Sequence, residues 1–163
     1  MSDRVYGPKT EATVRLCRED DIGRVAALYG HWESEAITWG LVADTEGGLR
    51  AKLGPFFFVA EDASEIVGFV AARVVHAAPG DLAVFPDGGD YLEVEALYVA
   101  ERTRDSGIGT QLMERVLQAA KCEGIEHATV FTATKDIPRI VRFYERLGFR
   151  PWGVQLFRTE SSG

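Results

Sequence analysis

An α/β domain of the α+β type, built on a mixed central sheet with helices on both faces, is the fold class this sequence predicts. Three observations lead to it. Short β-rich runs are interleaved with longer runs of helical period. Two of the strand runs meet in a tight hairpin, whereas a later strand–helix–strand run needs a crossover. The 163 residues are 46% hydrophobic, which fits one domain with one core.

The elements follow in order. "TVRLC" (13–17) alternates and reads as a first strand. "EDDIGRVAALYGHWESEA" opens with acidic residues and sets Ile22, Val25, Ala26 and Tyr29 on one face, a helix with favourable charges at its start. Residues 36–54 hold a weaker second helix, interrupted by Gly47, Gly48 and Gly54. "FFFVAED" and "EIVGFVAARVVH" read as a hairpin turned at Ala63-Ser64, and "APGDLAVFPDGGD" as a loop. "YLEVEALYV" (91–99) is a strand, and a helix then runs to about Cys122 with Gly124 just past its end. "HATVFTA" is another strand. "DIPRIVRFYERLGF" is a helix with Asp136 as N-cap, Pro138 in the first turn and Gly148 at its stop, and "VQLFRTE" (154–160) closes as a last strand. The domain spans 1–163, with its core at about 13–158 and tails at 1–12 and 159–163.

One strand breaks its own pattern. In "YLEVEALYV" the apolar residues fall at Leu92 and Val94, then at Leu97 and Val99, so the parity switches. A regular strand would turn one pair out of the core. A β-bulge near Ala96 restores the register, since one extra residue flips the alternation. A strand buried on both faces is the alternative.

Composition narrows the function classes. A net charge of −7 argues against nucleic acid as a partner and mildly favours a cationic small molecule. No apolar run approaches the ~20 residues that span a bilayer, and "MSDRVYGPKTEATVR" lacks the apolar stretch of a signal peptide. A cytoplasmic protein without membrane partners is the expectation. Cys17 and Cys122 lack metal spacing and read as buried free thiols; His31, His76 and His127 are scattered, so no metal is expected.

The stretch "RTRDSGIGTQLMERV" (102–116) sets Gly107 and Gly109 directly before an apolar helical pattern. A helix N-terminus has unpaired N–H groups and a positive dipole end, and glycines let an anion approach that backbone closely. Residues Arg104, Asp105, Ser106, Gly107, Ile108, Gly109 and Thr110 thus form a candidate phosphate cradle, to which Arg102 and Arg104 add charge. A Walker loop is excluded because Gly-Lys-Ser/Thr is absent, and Leu112 stands where a dinucleotide fingerprint needs its third glycine. A tight strand-to-helix turn without a ligand is the alternative.

"VEALYVAERTRDSGIGTQLMERV" resembles motif A of the GNAT (Gcn5-related N-acetyltransferase) superfamily, [QR]-x-x-G-x-[GA] after a bulged strand, matched by Arg104, Gly107 and Gly109. "RFYERLGF" (142–149) resembles the end of that family's motif B. The resemblance in element order covers residues 13–158. It implies a GNAT fold with a splayed sheet and an N-acetyltransferase that uses acetyl-CoA as cosubstrate. On this resemblance the Arg104–Thr110 backbone holds the pyrophosphate, and Leu97, Tyr98 and Val99 pair with the pantetheine arm. A pantetheine-contacting asparagine common in the family is Ile137 here, with Thr132, Thr134 or Asp136 as replacements.

Acyl transfer to an amine needs a base near the amine and an acid near the sulfur, because a thiol's pKa is about 8.5 and an amine is protonated at neutral pH. The resemblance assigns the acid to Tyr144 and the base to Glu95, with Glu93 as fallback. A core tyrosine and a solvated carboxylate are the alternatives, since Tyr144 shares helical spacing with Ile137, Ile140, Val141 and Leu147. On the same resemblance the acceptor side falls on "HWESEAITWG" and the 77–90 loop, where Trp32, Trp39, Glu33 and Glu35 are candidates for holding a cationic small-molecule or peptide amine. A homodimer is compatible with the sequence. A catalytically silent acyl-CoA-binding or regulatory module and a generic nucleotide binder are the competing functions.

Overall fold

The computed structural model describes residues 12–159. Five strands form one sheet in the order β1 (Thr13–Leu16), β2 (Phe57–Asp62), β3 (Glu65–Ala77), β4 (Gly89–Val99) and β5 (His127–Val130). The first four pair antiparallel; β4 and β5 pair parallel, from Tyr91↔His127 to Val94↔Val130. Among the described residues there are four α-helices, α1 (Ile22–Glu35), α2 (Glu46–Ala51), α3 (Ile108–Cys122) and α4 (Ile137–Arg146).

Each face of the sheet buries its own apolar cluster. Phe57, Val59, Phe69, Ala71, Ala96 and Tyr98 pack against Ile22, Val25 and Leu28 of α1 and Leu49 of α2. Phe58, Ala60, Val70, Leu92 and Val94 pack on the other face against Ile108, Leu112, Met113 and Val116 of α3 and Tyr144 of α4. The alternation of odd and even residues along β2 divides them between the clusters, as a pleated strand buried on both faces requires.

Local chemistry sets the element ends. Ala63 (φ 46°) and Ser64 (φ 68°) both take left-handed conformations, the geometry of a type I′ hairpin between Asp62 and Glu65. Asp136 caps α4 by accepting from the Arg139 backbone N–H at 3.2 Å, with Pro138 in the first turn, as the sequence predicts. Four expectations are corrected. Residues 154–159 form no strand, and Glu160 of that predicted strand lies outside the described residues. The second helix occupies only Glu46–Ala51, where Thr45 caps it by accepting from Gly48 N–H at 3.0 Å, so Gly47 and Gly48 lie inside it. β5 stops at Val130, short of the predicted 133. Cys17 is buried but Cys122 is exposed, because α3 turns that face to solvent at its end. The 1–11 part of the N-terminal tail and 160–163 of the C-terminal tail lie outside the described residues. No helix among the described residues is long and apolar enough to cross a membrane.

A buried ion-pair hub joins β1, α1 and β2. Asp21 is 1% exposed. Its carboxylate accepts from Arg15 at 2.6 and 3.0 Å, from Arg24 at 2.6 Å and from the Arg18 backbone N–H at 2.9 Å. Arg15 also reaches Glu61 on β2 at 2.8 Å. Hydrogen bonds from Arg15 outweigh the opposing cost of burial and hold the Asp21 carboxyl down at about 2. A carboxyl depressed in the folded state stabilises the fold above its unfolded pKa, so this contribution is complete above about pH 4 and is lost as pH falls through 2. Its size is about 2 kcal/mol. Asp21→Asn is therefore expected to lower the urea midpoint by the equivalent of about 3 kcal/mol at pH 7, since four N–H donors on three residues lose their charged partner. The difference from wild type should shrink as pH drops toward 2; a difference constant between pH 7 and 2.5 would mean the carboxylate charge is irrelevant there.

Candidate active site

The parity switch read in β4 is a bulge. Ala71 of β3 faces Ala96 and Ala72 faces Val94, which leaves Glu95 as the extra residue. Leu92 and Val94 before it, and Leu97 and Val99 after it, consequently point to the same α3-side cluster. The bulge also marks where β4 parts from β5. The parallel ladder ends at Val94↔Val130, whereas β4 continues against β3 to Val99.

The open stretch has a defined polarity. Ala100 N–H donates to Val67 carbonyl at 2.8 Å, which makes that a hydrogen-bonded pair. Antiparallel alternation then makes Gly68↔Val99 and Val70↔Leu97 non-hydrogen-bonded pairs. The N–H and C=O groups of Leu97 and Val99 therefore face away from β3, toward the side that β5 has left. Extended backbone with outward donors and acceptors on one edge is a receptor for another extended, amide-bearing chain.

That edge leads into the glycine turn. A single 3₁₀ turn (Glu101–Thr103) precedes Arg104; Asp105 (φ 61°) and Gly107 (φ 87°) are left-handed, and Ser106 Oγ donates to Thr103 carbonyl. Gly107 occupies the N-cap of α3 and supplies no side-chain cap for its first N–H groups. A Cβ on Gly107 would meet nothing within 4 Å, so the turn is open above it. Packing does not require Gly109 to be bare: a Cβ there would sit in ordinary van der Waals contact, 3.4 Å from Phe143 of α4 and 3.7 Å from Val99. The turn is thus an uncapped, electropositive helix end beside the open strand, suited to an anion.

The charged side chains expected to help the cradle are engaged elsewhere. Arg102 pairs with Glu65. Arg104 turns back to the Val99 carbonyl and to Glu35. Asp105 pairs with Arg139 at 3.1 Å. Backbone N–H groups of Ile108, Gly109 and Thr110 are what the turn offers an anion.

Tyr144 is 8% exposed on the α3 side, with its ring edge-on to Phe143 and Phe149 at 5.1 and 5.6 Å. Burial pushes its phenol up to about 12, so it remains a proton donor at physiological pH. Glu95, at the bulge, reaches Lys52 beyond α2 at 3.2 Å and Arg73 at 3.7 Å; Glu93 pairs with Arg73 at 3.0 Å. Lys52 also lies 3.8 Å from Asp44. Tyr29 stands near this cluster: burial first, and then the charges of Asp44 and Glu95, raise its phenol above the ordinary value. Lys52 and Asp44 were not singled out in the sequence and Tyr29 was read only as part of a helix face; no local spacing signals the cluster, since Lys52 meets Glu95 from 43 positions away.

The predicted acceptor residues sit in different environments. Trp32 stacks on Tyr98 at 5.3 Å and donates to Thr38 Oγ1 at 3.1 Å. Trp39 is 55% exposed, with Lys135 4.7 Å above its ring and Phe157 at 5.5 Å. Glu35 is held by Arg104 and Tyr98. The loop carrying Trp39 is itself fixed: Trp39 N–H donates to Ala133 carbonyl at 2.8 Å and Lys135 N–H to Ile37 carbonyl at 2.9 Å. Thr134 contacts Ile37 carbonyl and the Asp136 N–H, and Asp136 caps α4. No group of three or more His, Cys, Asp or Glu suited to a metal occurs among the described residues.

Comparison with known proteins gives this geometry a family. Residues 24–149 match the model of the acetyltransferase (GNAT) family. N-acetyltransferase 8B of Rattus norvegicus is 30% identical over 112 residues, 69% of this chain and 47% of that protein. Mycothiol acetyltransferase of Acidothermus cellulolyticus is 32% identical over 104 residues, 61% of this chain and 31% of that protein. The match thus spans less than half the length of either relative. A predicted acetyltransferase from Clostridium acetobutylicum, solved with acetyl-CoA, has the same fold at 16% identity, with a TM-score of 0.67 over 91% of this chain and 96% of that one. A family match that begins in α1, crosses the bulge and the glycine turn and ends just past α4 makes the chain a member of the GNAT acetyltransferase family.

Proposed function

We propose that the protein is an acetyl-CoA-dependent N-acetyltransferase that acts on a primary amine of a small molecule or peptide, by direct attack in a ternary complex, with residues 1–163 working as one domain. The observation that carries this reading is the open edge of Leu97 and Val99 running directly into the uncapped N-terminus of α3. The two parts match the two chemistries of the cosubstrate: an amide-bearing pantetheine arm along the strand, and a pyrophosphate at Gly107–Thr110. When bound, acetyl-CoA supplies the activated acetyl group; the chain's residues orient it and handle protons. Outward N–H groups of the open strand serve the oxyanion that develops at the carbonyl.

Tyr144 and Glu95 approach this edge from opposite faces of the sheet. With a pKa of about 12, Tyr144 lies well above a thiol at about 8.5. Its role is therefore to donate a hydrogen bond to the leaving sulfur, with net protonation following as the thiolate departs. Glu95, held ready by Lys52, takes the amine proton directly or through water. Its ion pairs also favour a second reading, a silent acyl-CoA-binding module, because Lys52 and Arg73 both contact the same carboxylate oxygen, Oε1, of Glu95.

Incubating the protein with acetyl-CoA and panels of polyamines, amino acids, aminoglycosides and short peptides, with free CoA thiol as readout, separates the two. Thiol release with amines is expected. CoA binding without release from any amine would leave the silent module.

Gly107→Ala tests the cradle. A Cβ at φ 87° costs about 1 kcal/mol of stability and shifts the turn. CoA affinity in calorimetry should fall about tenfold, the loss expected from one misplaced charge-assisted hydrogen bond. An unchanged Kd with a lowered Tm would remove the anion site from this turn.

The two proton-handling groups give different pH signatures. Tyr144→Phe should lower kcat by about 10²-fold with little change in acetyl-CoA binding. Glu95→Gln should reduce turnover most at low pH, where the acceptor is protonated, with partial recovery as pH rises. Because Tyr144 titrates at about 12, it should contribute no alkaline limb below pH 10. Retention of full kcat by Tyr144→Phe, with chemistry rate-limiting, would make it a packing residue. An unaltered pH profile in Glu95→Gln would move the base to Glu93, another group or solvent.

A further inference from the structure

The Arg104 guanidinium makes a fork between two elements that the sheet does not join. Its Nε donates to the Val99 carbonyl at 2.9 Å, and one terminal nitrogen donates to both oxygens of Glu35 at 2.8 and 2.7 Å. The Tyr98 hydroxyl donates to the same Glu35 carboxylate, and the guanidinium carbon lies 5.4 Å from the Tyr98 ring centroid. The side chains of Arg104 and Glu35 are only 24% and 19% exposed. Glu35 is the last residue of α1. A carboxylate is electrostatically disfavoured at a helix C-terminus, so an opposing cation has to hold it there.

The contact to Val99 falls on an exposed joint. Val99 is the last residue of β4, opposite Gly68, with its C=O and N–H turned to the open edge and no β5 residue alongside. Strand ends without neighbours twist and fray. The Nε bond uses one lone pair of that carbonyl, leaving the second lone pair and the Val99 N–H for an incoming chain.

We propose that Glu35 and Arg104 are positioning residues: their ion pair ties the end of α1 to the Val99 carbonyl and holds the open edge in the conformation that receives the pantetheine arm. This rests on the acetyl-CoA reading above. It gives Glu35 control of cosubstrate affinity although it lies on the acceptor-side helix, and it employs the Arg104 charge on Glu35 rather than on phosphate.

A double-mutant cycle read by CoA calorimetry tests this. Glu35→Gln keeps shape and removes the charge; Arg104→Lys keeps the charge and removes the fork. If the pair positions the strand, each single variant weakens CoA binding about tenfold, as loss of a charge-assisted hydrogen bond does. The second change then adds little to the first, because both break one unit. The Val99 and Ala100 amide resonances of free Glu35→Gln should also move. Tyr98→Phe, which removes only one hydroxyl and is the mildest change to the fold, should weaken CoA binding by a smaller factor in the same direction. If Arg104 instead contacts phosphate, Glu35→Gln frees it, and CoA binds equally well or more tightly, while Arg104→Lys costs the same factor in either background; that result overturns the proposal. A lowered Tm with unchanged Kd in Glu35→Gln and Tyr98→Phe overturns it too. Absence of CoA binding by the wild type would instead remove the acetyl-CoA reading and this inference with it.

Discussion

A backbone amide that leaves a sheet must find another partner or stay in water, and much of this protein is arranged around one place where that happens. β4 carries an extra residue at Glu95, parts from β5 after Val94, and runs on to Val99 with one edge free. The bulge does two things. It rotates the strand so that Leu97 and Val99 remain on the α3 side of the core, and it re-aims their polar groups toward the gap. Hydrophobic register and hydrogen-bonding opportunity are therefore set by a single inserted residue. The helix that follows begins at Gly107 without a side-chain cap, so the chain places two sets of available backbone groups end to end.

Charge is distributed to support that arrangement rather than to decorate it. The protein is acidic overall, yet the cations near the site are engaged in specific pairs: Arg104 with Glu35, Arg102 with Glu65, Lys52 and Arg73 with Glu95. Neutralised side chains leave the oriented dipoles of the turn as the field an anion meets. The half-buried pairs, shielded from bulk water, act over short range and depend on geometry. The Asp21 hub does similar work for the frame, fixing β1, the start of α1 and β2 where α1 must lie for Glu35 to reach the turn.

Patterns of short period were legible in the sequence. The hairpin at Ala63-Ser64, the cap at Asp136, the bulge beside Ala96 and the glycine turn each leave a signature within a few residues, because local sterics and alternation determine them. What escaped depends on pairing across the fold. Residues 154–159 have the alternation of a strand but form none among the described residues, and strand propensity alone does not form a ladder. The Glu35–Arg104 pair joins positions 69 apart, and Lys52–Glu95 joins positions 43 apart, so composition near either partner carries no trace of them. Trp32 and Trp39 lie close in sequence, yet one stacks inside on Tyr98 and the other faces Lys135 at the surface, because the chain leaves helical geometry at Ala36 between them.

The hairpin between β2 and β3 holds something in reserve. Ala63 and Ser64 both adopt positive φ, a conformation that costs a residue with a Cβ about 1 kcal/mol and that Asn-Gly accepts readily. The turn lies just beyond the end of the open strand, where Glu65 pairs with Arg102 and the Val67 carbonyl accepts from Ala100 N–H, and it is formed by residues that suit it poorly. The fold thus retains an unspent margin of mutational robustness in a hairpin whose own two turn residues make neither of those contacts. Relaxing that turn would let other parts of the chain accumulate destabilising substitutions before the frame fails.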